Sequence, residues 1–196
     1  DPKFRSKYLA VEARPLGEVD LAGFKPGEYV IAAQIEGECV VRTQMVEDIS
    51  ALSGDWTIFN CTLKYDQFYV DALSYEAIDC FKSLTHEEYY RRFGDEFGGT
   101  IRAVFTDEPA IYWVTVGYDD WNIPYTDDYF QTFEQRFGYS PAENIPYLFY
   151  QGNSAFRADY WDHAGHLFNQ RYHGNLSKWC AEHGLLYTGH NNCEEP

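Results

Sequence analysis

Asp107 and Glu108 are the residues whose placement points most directly to acid–base chemistry. They follow directly on residues 101–105, a short run rich in β-branched and aromatic side chains, and Pro109 comes immediately after them. Such a run, with Gly98-Gly99 just before it, predicts a buried strand. In α/β proteins the carboxyl end of a strand faces the crevice where ligands bind. Side-chain alternation sets Arg102, Val104, Thr106 and Glu108 on one side and Asp107 on the other, so one acid can face a pocket while the other braces the loop. Two carboxyl groups at one strand end suit a reaction in which a protonated group donates and an ionised one accepts. Two more strand-like runs end in polar clusters. Residues 56–65 lead to Asp66 and Asp71, and residues 185–189 lead to His190, Asn191, Asn192, Glu194 and Glu195.

The elements that position these groups follow from punctuation and period. Residues 29–35 and 39–45 flank Glu36-Gly37-Glu38 and predict an antiparallel hairpin, expected to be a plain structural insertion. Residues 56–65 are rich in β formers and predict a strand of a parallel sheet. Ser74 stands as an N-cap before Ala77, Ile78, Phe81, Leu84 and Tyr89, which recur at helical spacing up to Gly94. Strand, helix and the strand at 101–105 would then form one right-handed βαβ unit. Thr126 can cap a second helix that stops at Gly138, and Ser154 a third that runs from residue 155 to 183 with Gly184 behind it. No glycine-rich phosphate loop follows any of these strands, so nucleotide-binding sheets lose ground to a (β/α)8 barrel. The expected fold is α/β: a partial (β/α)8 TIM barrel over residues 55–196 that carries the site, behind an N-terminal segment, residues 1–54, with the antiparallel insertion. A barrel typically needs about 250 residues, so the 196 residues here read as an internal fragment that is inactive alone, depends on the rest of its parent chain and is open to self-association.

Composition narrows the partners. With 15 basic against 31 acidic residues the net charge is −16, which argues against nucleic acid and anionic membrane surfaces. A neutral substrate fits better. The five cysteines include no C-x-x-C pair, so reduced, buried thiols are expected rather than a zinc ribbon or a disulfide framework. With no run of membrane-spanning length and no signal peptide at Asp1-Pro2-Lys3-Phe4, the expectation is a cytoplasmic protein. His163, His166 and His173 share the long helix, and an H-x-x-H pair can bind metal. A solvated helix face is the simpler reading, and neither a metal nor another cofactor is expected.

Several stretches together resemble a known family. Tyr69-Val-Asp-Ala-Leu-Ser, Phe105-Thr-Asp-Glu-Pro109, Phe137-Gly-Tyr and Tyr187-Thr-Gly-His190 are similar to the large TIM-barrel glycoside hydrolases of the α-L-rhamnosidase type and their uncharacterised relatives, over about two-thirds of the chain. The resemblance implies hydrolysis of O-glycosidic bonds in an oligo- or polysaccharide of a plant- or host-derived glycan. It makes Glu108 the general acid, at a buried barrel mouth that would raise its pKa. Glycoside cleavage needs a second carboxylate as nucleophile or base. Glu194 or Glu195 would supply it in an inverting arrangement, unless it lies on a later strand. Asp71, Asp107, His190 and Asn191 would hydrogen-bond sugar hydroxyls, and Tyr112 and Trp113, with Tyr118 and Trp121, would form a sugar platform. Two readings from other classes stand beside this one: a noncatalytic carbohydrate-binding or scaffold domain, and a metal-dependent hydrolase using the histidines.

Overall fold

The computed structural model describes residues 2–111 and 121–191. Its elements in chain order are β1 (Arg5–Pro15), β2 (Tyr29–Glu36), β3 (Cys39–Met45), β4 (Thr57–Val70), α1 (Tyr75–Leu84), α2 (His86–Phe93), β5 (Ala103–Asp107), β6 (Asn122–Tyr125), α3 (Tyr129–Phe137), α4 (Ser154–Phe168), α5 (Asn175–Glu182) and β7 (Leu186–His190). The chain divides into two compact units, one of Lys7–Tyr65 with Val114–His163, the other of Asp1–Ser6, Asp66–Trp113 and Ala164–Pro196.

The unit that begins at Lys7 is built on a five-stranded sheet in the order β3-β2-β4-β1-β6. β2 pairs antiparallel with both β3 and β4, and β1 pairs antiparallel with β6. The hairpin expected at residues 29–45 is present, with Gly37 in the left-handed region that the turn requires. It is no insertion, however, because β2 lies inside the main sheet. Both faces of β2 are covered. Val30 and Ala32 pack with Ile49, Trp56 and Ile58, while Ile31 and Ala33 on the other face are fully buried. Aromatic side chains of α3 and α4 contribute to the core, where the Tyr129 hydroxyl donates to the Tyr160 carbonyl and the Tyr160 hydroxyl to that of Pro124. The close approach of the chain ahead of β2 to β4 depends on Gly27, whose Cβ would collide with the Cys61 carbonyl. Asn60 locks that approach, accepting from the Gly27 amide at 2.7 Å and donating to the Lys25 carbonyl at 3.1 Å.

The other unit holds a two-stranded parallel pair, β5 with β7, in the register Ala103↔Leu186 to Asp107↔His190. The pair packs on α5 through Trp179, Cys180 and Leu185, with Phe97, Ile101, Val104 and Tyr187 against them. Ser74 caps α1 by accepting from the Ala77 amide, and Gly184 follows α5 with φ 70°. The single helix expected across residues 155–183 is interrupted: Asn169–Gly174 form a π-helical turn between α4 and α5.

These pairings overturn the partial (β/α)8 barrel. The larger sheet has antiparallel pairings, the parallel pair has only two strands, and no barrel closes among the described residues. The expected βαβ unit fails because β4 pairs with β2, not as a parallel neighbour of β5. Its apolar run was read as a parallel strand. The composition is instead that of an antiparallel sheet covered on both faces, a case that period alone cannot separate from a parallel one. Among the described residues no helix is long and apolar enough to cross a membrane. The described cysteines are free, but Cys39 is exposed and Cys80 only half-buried, against the expectation that all are buried.

Candidate functional site at the carboxyl end of the parallel pair

The register of β5 on β7 brings Asp107 and His190 opposite each other at the ends of their strands, Oδ1 lying 3.8 Å from Nδ1. The Glu108 amide donates to the His190 carbonyl at 3.0 Å, the hydrogen bond that closes the Asp107–His190 pair at the end of the parallel ladder. Glu108 takes up this position with φ 46°, the one described non-glycine residue in the left-handed region. A side chain there costs about 1–2 kcal/mol of backbone strain, and such strain recurs at ligand sites. The turn also breaks the alternation that would have aligned Glu108 with Thr106. Glu108 and Asp107 are both exposed, so the burial expected around the acid is absent.

Strand alternation gives the pair two unlike faces. Ala103, Phe105 and Asp107, with Leu186, Thr188 and His190, lie on an exposed face, where the Phe105 ring meets the His190 ring edge-on at 5.1 Å between centroids. Val104, Thr106 and Tyr187 lie on the face that packs inward. Gly189, the partner of Thr106, belongs to this second face. A Cβ at Gly189 would run into the Thr106 carbonyl and methyl group, so only glycine allows the strands to approach this closely.

The inward face carries a run of hydroxyl groups. Thr106 Oγ1 lies 2.8 Å from the Tyr172 hydroxyl, and His173 Nδ1 lies 2.9 Å from the Tyr187 hydroxyl. Tyr69 lies close to Tyr172. Its hydroxyl accepts from the Ala110 amide at 2.9 Å and so holds the segment just after Glu108. Burial raises the pKa of Tyr69, Tyr172 and Tyr187, which keeps the three phenols protonated, and burial lowers that of His173.

The other expected site residues are placed differently. Asp71 is buried at 1% exposure and accepts from the Leu73 amide at 3.0 Å, closing the turn into α1. It is an anchor in the wall and not an open sugar-binding group. Asn191 is exposed. Glu194, Glu195, Asn192, Tyr112, Trp113 and Tyr118 lie outside the described residues. Trp121 stacks on Phe149 at 4.5 Å in the other unit. His173 does not sit on the solvated helix face expected of it, because it faces β7. His163 is buried, 1% exposed, with Nε2 3.1 Å from Thr132 Oγ1. Among the described residues no three His, Cys, Asp or Glu side chains gather as a metal site would require.

Sequence reasoning missed Tyr69, Thr106, Tyr172, His173 and Tyr187. Tyr172 and His173 are consecutive, and in an α-helix neighbours diverge by roughly 100°. The wider i→i+5 turn of the π segment lets Arg171, Tyr172 and His173 all reach the interior. Arg171 donates to the Leu73 carbonyl at 2.7 Å beside these two contacts. No helical period signals that arrangement. No protein-family model, curated protein or solved structure matches the chain.

Proposed function

We propose that the carboxyl end of the β5–β7 pair binds carbohydrate, with Glu108 as the general acid for cleavage of a glycosidic bond. The observation that carries the reading is the strained backbone of Glu108, fixed by its hydrogen bond to His190 next to Asp107. Carboxylates, an imidazole and phenolic hydroxyls around one strand end match the many donors and acceptors of a sugar. The net charge of −16 favours a neutral ligand over an anionic one. The resemblance of Phe105-Thr-Asp-Glu-Pro109 to glycoside hydrolases supplies the reaction class. In that reaction Glu108 passes its proton to the departing glycosidic oxygen, and a second carboxylate serves as nucleophile or activates water. The exposure of both Asp107 and Glu108 favours a second reading, a sugar-binding site without hydrolysis, because a general acid is usually held protonated by burial.

The test is oligosaccharide binding followed at the backbone amides of Asp107, Glu108 and His190, together with hydrolysis of unactivated and aryl glycosides. Glu108→Gln is expected to lower hydrolysis of the unactivated substrate by about 10²–10⁴-fold, the usual share of general acid catalysis, and that of the aryl glycoside by less. Binding without hydrolysis selects the second reading. Absence of binding overturns both.

A further inference from the structure

One edge of β5 is taken up by β7 and the other has no strand beside it. The Leu186 amide donates to the Arg102 carbonyl and the Glu108 amide to the His190 carbonyl, both at 3.0 Å. Along a strand, alternate residues bond a given neighbour. Arg102, Val104, Thr106 and Glu108 therefore turn their main-chain groups toward β7, and Ala103, Phe105 and Asp107 turn theirs to the other edge. Among the described residues no strand occupies that edge. A row of unpaired N–H and C=O groups is a template for a further strand. Beside it lies a cavity of about 290 Å³, lined mostly by apolar and aromatic side chains, among them Phe81 of α1, Tyr89 of α2, Phe97 and Trp179. Ala103 and Val104 both line it, although their side chains lie on opposite faces of the pair. The cavity thus reaches the edge of β5 and is not confined beneath it. All these residues belong to one compact unit.

We propose that this edge binds an extended peptide as an antiparallel third strand, with one large apolar side chain of the peptide in the cavity and a basic residue opposite Asp107. In such complexes the main chain supplies affinity and a pocket for alternate side chains supplies specificity. Antiparallel pairing is the more stable per residue, and it fixes which residues meet. The peptide residue opposite Val104 points to the same face as Val104, into the cavity. The residue before it stands opposite Phe105, which is 56% exposed on the other face, and a β-branched side chain suits that cross-strand neighbour. Two residues earlier still, the side chain stands opposite Asp107, exposed and followed by Glu108, where Lys or Arg makes an opposite-charge pair. The net charge of −16 also favours a basic peptide. The motif is a basic residue, any residue, a β-branched residue and a large apolar one, in that order. A second copy of this chain matches the edge poorly. Paired antiparallel about Phe105, its β5 sets Thr106 opposite Val104, which leaves the cavity without a large apolar side chain and joins two chains of like net charge. The proposal is independent of the carbohydrate reading.

The test changes the peptide, which cannot unfold the protein. Fluorescein-labelled Thr-Lys-Thr-Val-Phe-Thr, and its forms with Leu or Trp in place of Phe, are titrated against the whole chain by fluorescence anisotropy. Ala in place of the large apolar residue is expected to weaken binding at least about ten-fold. N-methylation of the peptide's Val, whose N–H faces β5, should cost about ten-fold, and N-methylation of its Phe, whose N–H faces away, much less. Glu in place of Lys should weaken binding by an amount that shrinks with added salt. The amides of Ala103 and Phe105 are expected to exchange hydrogen rapidly in the free protein and slowly in the complex. Absence of saturable binding by all three peptides up to about 1 mM, or equal losses from the two N-methyl peptides, overturns the proposal. Slow exchange at Phe105 in the free protein does so as well, because the edge is then already held. Self-association seen by light scattering and removed by Phe105→Pro, which takes away an outward N–H and spares the ladder to β7, puts a second copy in the place of the peptide.

Discussion

The Glu108 amide hydrogen-bonds the His190 carbonyl and so closes the Asp107–His190 pair, the last rung of the parallel ladder. That rung is made with Glu108 in a left-handed conformation. The strained residue and the last hydrogen bond of the sheet are thus one feature: pairing with β7 fixes the backbone, and the fixed backbone sets where the carboxyl group starts.

Glu108→Gly relieves the strain at φ 46° and loses the carboxyl group. Glycine enters the left-handed region without steric cost, but it adds unfolded-state entropy of about 0.5–1 kcal/mol. The two terms nearly cancel, so the variant is expected to be as stable as the wild type or up to about 1 kcal/mol more stable. If the proposed function holds, glycoside hydrolysis should be lost with the carboxyl group. Urea denaturation checks the first part, and a loss of more than about 1 kcal/mol would show that the Glu108 side chain is structural.

Gly189→Ala is expected to destabilise. Its Cβ meets the Thr106 carbonyl, a backbone atom that cannot swing aside, so β5 and β7 must separate. Overpacking of this kind costs about 1–3 kcal/mol. Thr106 should also lose its hold on Tyr172. Lowered denaturant midpoints, with shifted Tyr172 and Tyr187 resonances, are the expected result, and an unchanged midpoint would mean the ladder is looser than the structure indicates.

The parts of this site legible in the sequence are those marked by punctuation. Pro109 after two acids and His190 after Gly189 end their strands close to where expected, and Gly138 and Gly184 do stop helices with positive φ. Pairing was not legible, because a strand such as β4, apolar on both faces, looks the same whether its neighbours are parallel or antiparallel. Asp71 shows a second limit: a carboxylate after a strand can close a turn as readily as it can bind a ligand. The placing of Tyr172 and His173 side by side, one against Thr106 and the other against Tyr187, shows a third. It depends on a π turn, and the residues at 169–174 have no local signature that distinguishes them from ordinary helix.

His86 is expected to make the protein acid-sensitive. Thr85 Oγ1 donates to the Phe81 carbonyl at 2.7 Å and lies 2.9 Å from His86 Nδ1, so Nδ1 carries the ring proton and Nε2 is left buried without a partner. Burial, with the Lys82 charge nearby, lowers the His86 pKa. The folded state therefore favours the neutral ring. Its stabilising contribution is complete above the unfolded value of about 6.5 and is lost as pH falls through the lower folded value. His86→Phe keeps edge contacts to Phe81 and Trp179, which the imidazole makes at 5.4 and 5.1 Å. Denaturation midpoints from pH 7 down to pH 4 should fall less steeply in His86→Phe, and parallel curves would remove His86 as a cause.

Cys61 sets the matching limit on the alkaline side. It is fully buried on β4, and burial pushes its thiol from 9.0 up to about 12. The folded state favours the protonated, neutral thiol, whereas the unfolded chain ionises near the ordinary value. A thiol whose folded pKa is raised contributes stability that is complete below the unfolded pKa and is lost as pH rises toward the folded one. The window is therefore pH 9 to about 12. Buried Tyr129, also raised, adds to the same decline, so the readout is a difference between variants and not the wild-type curve alone. Cys61→Ala is expected to be less stable than the wild type at pH 7, because it leaves a small cavity, but to lose stability more slowly between pH 9 and pH 11. At pH 8 a thiol reagent should label exposed Cys39 at once and Cys61 only as the protein unfolds. Rapid labelling of Cys61 in the folded protein, or alkaline slopes that match in the wild type and Cys61→Ala, would contradict the burial from which both expectations follow.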